Sequence, residues 1–324
     1  MAKALVLGNK SFSTNIIQGP LAGISSAPFR ALVSHYGRPA FSYTEMISCK
    51  TLIHHPKHSL PHFLRKMPGE GPLGVQLSGT CPKELALAVK IAEDSGADLI
   101  DLNCGCPVKK IRRRGAGSAL LAEPGKLHQL IAAMKNNTSL PVSIKIRIDG
   151  NEDDNLNQKI AETVNNSGLD FLIVHGRHWQ EDYTVPCHYD QIRFFVENIT
   201  LPVIGNGDIA CQNSLKKMLA TGCSGVMVSR ASVGQPWLIR QLTADTSLAE
   251  PTPEESARIF CLHTLLLARF HRSEQSALLQ ARRFSKYYAR HLQGEDLHFF
   301  CQGVIACRTL SQLKTLTKKY FGVI

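Results

Sequence analysis

The sequence predicts an α/β fold in which a (β/α)8 barrel is followed by a small all-helical domain. Three observations predict it. Short apolar runs alternate with helical stretches over about the first 240 residues. These runs are almost wholly apolar, which is typical of parallel strands covered by helices. After Pro251 and Pro253, helical spacing continues without any further strand pattern.

Eight short apolar runs predict the strands, and the stretches between them predict helices. The strands are Ile16–Gln18, Ala40–Thr44, Leu73–Leu77, Leu99–Leu102, Val142–Arg147, Phe171–Val174, Val203–Gly205 and Gly225–Val228. The helices are Pro28–Tyr36, Pro82–Ser95, Pro124–Asn136, Asn155–Ser167, Tyr189–Glu197 and Gln212–Ala220. Several helices begin with proline and end near glycine, as first and last helical turns often do. Eight such units favour a closed TIM barrel, and a doubly wound sheet is the alternative.

Two further segments complete the predicted architecture. Leu5–Ser13, with a Gly8-Asn9 turn, predicts a hairpin that closes the barrel floor. Beyond the barrel, apolar residues recur at helical spacing in Ile259, Leu262, Leu265 and Leu266, then in Phe284, Tyr287 and Tyr288. We therefore expect a barrel domain over residues 1–243 and a helical domain over residues 244–324.

The charge balance of the chain is strongly basic. Lys and Arg outnumber Asp and Glu by 37 to 26, a formal charge of +11. This excess favours a nucleic acid, an acidic membrane surface or an anionic ligand as partner. No apolar run approaches the roughly 20 residues of a membrane span. The opening MAKALVLGNKSF lacks the apolar stretch of a signal peptide, so we expect a cytoplasmic protein.

The cysteine pattern bears on redox state and metals. Ten cysteines are spread thinly and without a repeating framework, so we expect reduced thiols rather than disulfides. Cys104 and Cys106 form a C-x-C, but no second Cys or His pair stands at zinc spacing. The sequence therefore predicts no metal site.

Polar residues fall at six consecutive predicted strand ends, where chemistry in such barrels is located. In chain order they are Gln76, Asn103, Lys145 with Arg147, His175, Asn206-Gly207-Asp208 and Ser229-Arg230. Each alone has a packing explanation: a core amide, a hydrogen-bonded histidine, an internal ion pair or a turn. Together they predict a site at the carboxyl ends of the strands.

The chemistry of these residues suggests a ligand. The ends of strands seven and eight are the usual phosphate-binding place in such barrels, helped by backbone N–H groups. Gln76 and Asn103 offer amides that suit the edge of a flat heterocycle. The combination fits a phosphorylated, ring-bearing cofactor such as FMN, whereas the Gly-x-Gly-x-x-Gly dinucleotide signature is absent.

The segment Ala97–Leu121 combines a strand end with a thiol and a dense positive patch. Cys106 precedes Pro107, and five cations follow in Lys109, Lys110, Arg112, Arg113 and Arg114. A thiol there can act as an acid or a nucleophile, and the cations suggest a polyanionic substrate. The alternative is a buried cysteine beside a solvated basic turn.

These residues resemble the tRNA-dihydrouridine synthases over the barrel and, more weakly, over the helical tail. The matching motifs are GPLAGISSAPFR, TEMIS, GVQLSG, DLNCGCPVKK, GAGSALL, SIKIR, VHGR, PVIGNGDI and QPWLIR. The wording KKIRRRGAGSALL is most similar to the bacterial B class. The resemblance implies a monomeric FMN enzyme, reduced by NADPH, that hydrogenates the C5–C6 bond of a D-loop uridine in tRNA.

The resemblance also implies roles for individual residues. Cys106 matches the catalytic acid that protonates C5 after hydride transfer to C6. Cofactor contacts are expected from Pro20, Leu21, Ala22, Gln76, Asn103, Lys145, His175, Asn206, Gly207, Asp208, Ser229 and Arg230. Substrate contacts are expected from Arg147, Arg177, Lys109, Arg112, Arg113, Arg282 and Lys286. Leu21, Ser229 and His178 stand where the family usually has Met, Gly and Thr.

Two consequences and two alternatives follow. Because neighbouring cations lower the pKa of a thiol, we expect Lys109 to Arg114 to point at tRNA phosphates and away from Cys106. The target uridine must leave its stack to reach the barrel. The alternatives are an FMN barrel acting on a free pyrimidine, as dihydroorotate dehydrogenase does, and a non-catalytic tRNA-binding protein with a relic barrel.

Overall fold

The computed structural model describes residues 3–149, 155–244 and 248–322. It opens on an antiparallel hairpin of β1 (Leu5–Leu7) and β2 (Lys10–Phe12), whose turn places Gly8 at a φ of 55°. The hairpin buries Leu5, Leu7 and Phe12 in one apolar cluster with inward residues of the barrel strands, among them Phe171. The predicted hairpin is therefore confirmed.

Among the described residues, nine parallel strand segments form the barrel. They are β3 (Ile16–Gln18), β4 (Ser42–Tyr43), β5 (Ile47–Ser48), β6 (Leu73–Ser78), β7 (Leu99–Cys104), β8 (Val142–Arg147), β9 (Phe171–His175), β10 (Val203–Asn206) and β11 (Gly225–Val228). β4 pairs with both β3 and β6, and β11 pairs with β3, so the sheet closes on itself. Since β4 and β5 pair with successive parts of β6, they share one of eight positions. Closure confirms the TIM barrel and excludes the doubly wound sheet, whose edge strands stay unpaired.

Helices cover the outside of the barrel. They are α1 (Ala27–Tyr36), α2 (Cys49–His54), α3 (Pro56–Ser59), α4 (Pro82–Asp94), α5 (Lys109–Arg112), α6 (Pro124–Lys135), α7 (Asn155–Asn165), α8 (Tyr189–Asn198), α9 (Gln212–Leu219) and α10 (Leu238–Thr243). Helix α4 is typical: it buries Leu85, Ala88, Val89 and Ala92, at the i, i+3, i+4, i+7 spacing of one apolar face. Short π or 3-10 turns occupy Leu60–Leu64, Gly117–Ala122 and Arg230–Ser232.

The second and fourth predicted strands needed the largest corrections. The strand predicted over Ala40–Thr44 forms only as β4 (Ser42–Tyr43); residues 44–46 are not in a strand, and β5 begins at Ile47. The fourth strand does not stop before Asn103: β7 continues through it to Cys104, because the ladder with β8 pairs Asn103 with Lys145. An apolar-run criterion ends a strand too early where inward side chains become polar.

In residues 248–322, four helices follow the barrel: α11 (Pro253–His271), α12 (Glu274–Tyr288), α13 (Gly294–Ala306) and α14 (Leu310–Phe321). Thr252 caps α11 reciprocally with Glu255, each accepting from the other's backbone N–H at 3.2 and 2.8 Å. The helices share an aromatic core that includes Phe260, Phe284 and Phe300. In the described part of the chain, no helix is both long enough and apolar enough to cross a membrane.

The helical domain and the barrel meet closely beside the end of β11. A Cβ on Gly234, whose φ is 73°, would lie 2.4 Å from the carbonyl carbon of Tyr287. Only glycine allows α12 to approach this loop so closely. The predicted boundary after residue 243 stays a prediction, since Trp237 packs with the helical core whereas Leu242 packs with the barrel.

Candidate active site

A buried polar network lies inside the barrel on three adjacent strands. The ladder sets Gln76 beside Asp101 and Asp101 beside Ser143. Gln76 donates its amide N–H to Asp101 at 2.8 Å, and the Ser143 hydroxyl donates to the same carboxylate at 2.6 Å. Asn103 donates to Gln76 Oε1 at 2.8 Å. The network fixes the orientation of both amides that the sequence predicted as ring contacts.

Asp101 and Ser143 were missed by the sequence analysis. Burial raises the pKa of Asp101 to about 7, against the lowering effects of its two hydrogen bonds and of Lys145. Strand alternation could have found both residues, because Asp101 lies two positions before Asn103 and Ser143 two before Lys145.

The loop that carries Cys106 (residues 105–118, the Cys106 loop) is held at both peptide groups of that cysteine. Asn103 Oδ1 accepts the Cys106 N–H at 2.9 Å. The Cys106 carbonyl accepts from the backbone N–H and the hydroxyl of Ser118, each at 3.1 Å. Cys106 itself is half-buried. The backbone is therefore constrained while the residue stays partly exposed, in a loop at the barrel mouth, the end where the strands' carboxyl termini meet.

Four cations surround His175 at the mouth. Burial first, and then Lys145, Arg147, Arg177 and Arg230, hold the pKa of His175 well below its ordinary value. His175 is therefore a neutral imidazole at pH 7. Burial, assisted by Arg147, lowers the pKa of Lys145 to about 8, so Lys145 remains mostly protonated at neutral pH. The mouth thus has a positive potential that suits an anionic ligand.

A cavity of about 300 Å³ lies beyond the ends of β10 and β11. Asn206 is held there by donating to the carbonyl of Met227 at 2.8 Å. The structure brings together five predicted cofactor residues on its wall, and Tyr287 of α12 joins them: Asn206, Gly207, Asp208, Ser229 and Arg230. Small residues and the cation Arg230 suit a phosphate, and the Asp208 carboxylate on the same wall is paired with Arg177 at 2.7 Å, so the residues present fit the phosphate end of FMN.

The first predicted cofactor loop follows β3. Pro20 and Leu21 are half-buried and Ala22 is exposed. The Ser25 hydroxyl ties this loop to itself, accepting from the Leu21 N–H at 2.9 Å and donating to the Leu21 carbonyl at 3.0 Å. Glu45 accepts the backbone N–H of Gly23, which joins the loop to the break between β4 and β5.

Arg177, which is expected to contact substrate, binds protein groups in this structure. Its side chain is 1 % exposed, and both Asp208 carboxylate oxygens accept from its Nη2 at 2.7 Å. Its Nε donates to the Val185 carbonyl at 2.6 Å. Arg177 thus supports the loop after β9 (residues 176–188, the 176–188 loop) from beneath. Arg147 is similar: it is 4 % exposed and donates to the His178 carbonyl at 2.7 Å.

The cations predicted to face tRNA divide into two groups. Lys109, Arg113 and Lys286 are exposed. Arg282 is half-buried and donates to the Ile305 carbonyl at 2.8 Å. Arg112 is half-buried and donates to Ser118 at 2.8 Å, so unlike its neighbours it binds a protein group.

Comparison with known proteins decides the family. The family model for dihydrouridine synthases matches residues 17–305. The chain belongs to the dihydrouridine synthase family. The tRNA-dihydrouridine synthase B of Pasteurella multocida is 31 % identical over 293 residues, covering 89 % of this chain and 86 % of that protein. The enzyme of the same name from Escherichia coli K12 is 32 % identical, covering 90 % and 91 %.

Two further similarities complete the picture. The probable tRNA-dihydrouridine synthase 1 of a Synechocystis strain is 32 % identical, covering 90 % of this chain and 83 % of that protein. The solved old yellow enzyme homologue from Zymomonas mobilis superposes with a TM-score of 0.55 at 9 % identity, covering 79 % of this chain and 96 % of that one. The second similarity shows the barrel fold alone. The resemblance to the dihydrouridine synthases, with B-class relatives among the matches, is thus confirmed.

Proposed function

We propose that this dihydrouridine synthase reduces the C5–C6 bond of a D-loop uridine in tRNA, using FMN that NADPH reduces. One observation carries the proposal: an accessible cysteine is held by its own backbone at a positively charged barrel mouth. Asn103 and Ser118 provide those backbone contacts. Family membership makes tRNA uridine the substrate that this arrangement fits.

The residues that would hold FMN follow the chemistry of its parts. Arg230, with the small residues Gly207 and Ser229, would bind the phosphate in the cavity beyond β10 and β11. Gln76, Asn103 and Lys145 would meet the ring, while Pro20, Leu21 and Ala22 would cover it from the loop after β3. His175, neutral at pH 7, would offer one N–H donor and one acceptor nitrogen. When bound and reduced, FMN supplies the hydride that is added to uracil C6.

The protein then has two tasks, which are to stabilise negative charge and to deliver a proton. As C6 gains hydride, negative charge develops on the C4 oxygen of uracil. Lys145 is positively charged below about pH 8, and it lies in the mouth where that charge would be stabilised. The Cys106 thiol donates its proton to C5 as a general acid and is afterwards reprotonated from solvent.

The surface supports a polyanionic substrate rather than a free base. Lys109 and Arg113 are exposed on the Cys106 loop, and Lys286 is exposed on α12. Such cations bind phosphates but contribute nothing to recognition of a small pyrimidine. We propose that the chain acts as a monomer in the cytoplasm, where reduced thiols and tRNA are found together.

The decisive test is a visible absorption spectrum of the purified protein under anaerobic conditions. We expect a flavin spectrum that bleaches with NADPH and recovers when unmodified tRNA is added, with dihydrouridine detected in the tRNA by mass spectrometry. Recovery with a free pyrimidine instead would identify the small-molecule enzyme. A protein that stays colourless after reconstitution with FMN would contradict flavin chemistry and favour a relic binding protein.

A further inference from the structure

The 176–188 loop is a firmly held part of the barrel mouth. At one end, the His178 carbonyl accepts from Arg147 at 2.7 Å, and the His178 N–H donates to Glu181 at 2.7 Å. At the other end, Arg177 binds the Val185 carbonyl, and Asp208 accepts the Cys187 N–H at 2.9 Å. Trp179, next to His178, is therefore carried on a constrained backbone.

Arg112 lies directly on Trp179. Its guanidinium carbon is 3.2 Å from the centre of the indole ring, which is cation–π and stacking contact. Its Nη1 donates to Ser118 Oγ at 2.8 Å while the face stays stacked. Ser118 in turn donates to the Cys106 carbonyl through both its hydroxyl and its N–H. A continuous set of contacts thus joins Trp179 to the backbone of the cysteine.

Arg112 differs in this from the other cations of its run. Lys109, Lys110, Arg113 and Arg114 are exposed, whereas Arg112 is half-buried. One face of its guanidinium is covered by the indole, and its Nη1 is bound to Ser118. The Arg112 guanidinium therefore makes these contacts to protein groups rather than to a phosphate.

We propose that Arg112 and Trp179 are positioning residues: their stacked pair holds the Cys106 loop against the 176–188 loop and so fixes where the Cys106 thiol is presented. The expected effect on catalysis rests on the proposed function, whereas the contacts between Arg112, Trp179 and Ser118 are observed independently of it. Loss of the pair is expected to release the Cys106 loop, leaving Asn103 and Ser118 to hold the cysteine alone.

The test measures the thiol directly, without tRNA. Cys106 is alkylated with iodoacetamide, and the rate is followed by mass spectrometry of the Cys106 peptide. We expect Trp179→Ala and Arg112→Lys to raise this rate by about threefold or more, since a stacked contact of this kind is lost. Trp179→Phe keeps an aromatic face, so its alkylation rate is expected to stay close to the wild-type rate. Arg114→Lys, the same change at an exposed position of the loop, is expected to leave the rate unchanged.

Steady-state kinetics provide the second readout. Positioning of the acid predicts that Trp179→Ala lowers kcat by about tenfold with KM for tRNA within about twofold of wild type. An unchanged alkylation rate in both Trp179→Ala and Arg112→Lys, or a rise in KM for tRNA alone, would overturn the proposal in favour of direct tRNA contact. Thermal unfolding identifies a variant that fails to fold, and Arg112→Lys then carries the test. If wild type forms no dihydrouridine, the proposed function fails while alkylation still decides the positioning role.

Discussion

At the residue scale, Cys106 combines a constrained backbone with partial exposure to solvent. Its N–H and its carbonyl are both bound, to Asn103 and to Ser118. A general acid gains from such an arrangement, because proton delivery depends on the thiol standing at a fixed distance from the receiving carbon.

We therefore expect Cys106→Ala to bind flavin normally and to lose dihydrouridine formation by roughly 100-fold or more, the usual contribution of a general acid. The substitution removes only the thiol, since both backbone contacts remain. The measurement is the dihydrouridine content of tRNA after a timed reaction, with flavin absorbance as the control for binding. Wild-type activity in Cys106→Ala would remove this residue from the mechanism.

Lys145 gives the activity a pH dependence of definite sign. Burial lowers its pKa to about 8, so the positive charge is present below that pH and is lost as the pH rises through it. Because the charge stabilises developing negative charge on the substrate, we expect kcat/KM to fall above about pH 8. Lys145→Arg keeps a charge that does not titrate, so the part of the fall that belongs to Lys145 should disappear from its profile. Coincident profiles for the two proteins, measured from about pH 6 to about pH 10, would assign the fall to another group.

At the element scale, the Cys106 loop depends on a glycine where it turns back toward Cys106. Gly117 has a φ of 62°, and a Cβ there would lie 2.7 Å from the Cys106 carbonyl oxygen. That oxygen also accepts both hydrogen bonds of Ser118. Glycine is therefore needed at position 117 for two reasons: the backbone has a positive φ, and a Cβ would approach the Cys106 carbonyl oxygen too closely.

We expect Gly117→Ala to destabilise the protein by about 1–3 kcal/mol and to lower activity further than stability alone explains. Gly96→Ala is the matched control: Gly96 also has a positive φ, of 87°, but a Cβ there would meet nothing within 4 Å. The control isolates the cost of backbone strain. Denaturant unfolding and dihydrouridine assays on both variants make the comparison, and equal losses would show that contact with Cys106 is unimportant.

How well a helix or strand can be predicted from the sequence depends on its surroundings in the fold. The barrel strands were predictable because buried parallel strands are almost wholly apolar. β7 was predicted too short, since inward Asn103 breaks the apolar run although the ladder continues. The α2–α3 region was not predicted at all, because Pro56 and clustered histidines hide its helical periodicity.

The candidate site, like the helices and strands, was predictable only in part. The position of the site was predictable, because the carboxyl ends of all the parallel strands lie at the same end of a barrel. The sequence does not tell which arginines are left for the substrate and which bind other protein groups. Arg112 stacks on Trp179 and Arg177 pairs with Asp208, and only the fold brings these partners together. Trp179 carried only one signal, as one of two tryptophans in the chain.

At the scale of the whole molecule, the helical domain takes part in the mouth. Tyr287 of α12 lines the cavity beyond β10 and β11, and its backbone is packed on Gly234. Arg283 of the same helix donates to the Gly23 carbonyl in the loop after β3 at 3.4 Å. α12 therefore extends the positive mouth of the barrel, and Lys286 is exposed on this helix.

A tRNA bound across both parts would contact phosphates with cations of each. Binding that releases counterions weakens with salt, and each phosphate contact contributes roughly one unit to the slope of log affinity against log salt. We expect Arg113→Ala, on the barrel, and Lys286→Ala, on α12, each to reduce the slope by about one, and the double variant by about two. The measurement is a salt titration of tRNA binding.

The control and the additivity decide between models of binding. Lys159 is an exposed cation on α7, on the outside of the barrel, and Lys159→Ala should leave the slope unchanged. A slope reduced by Arg113→Ala but not by Lys286→Ala would confine tRNA to the barrel. Additive losses at the two positions, measured at a stoichiometry of one tRNA per chain, would show that a single tRNA contacts both the barrel and α12.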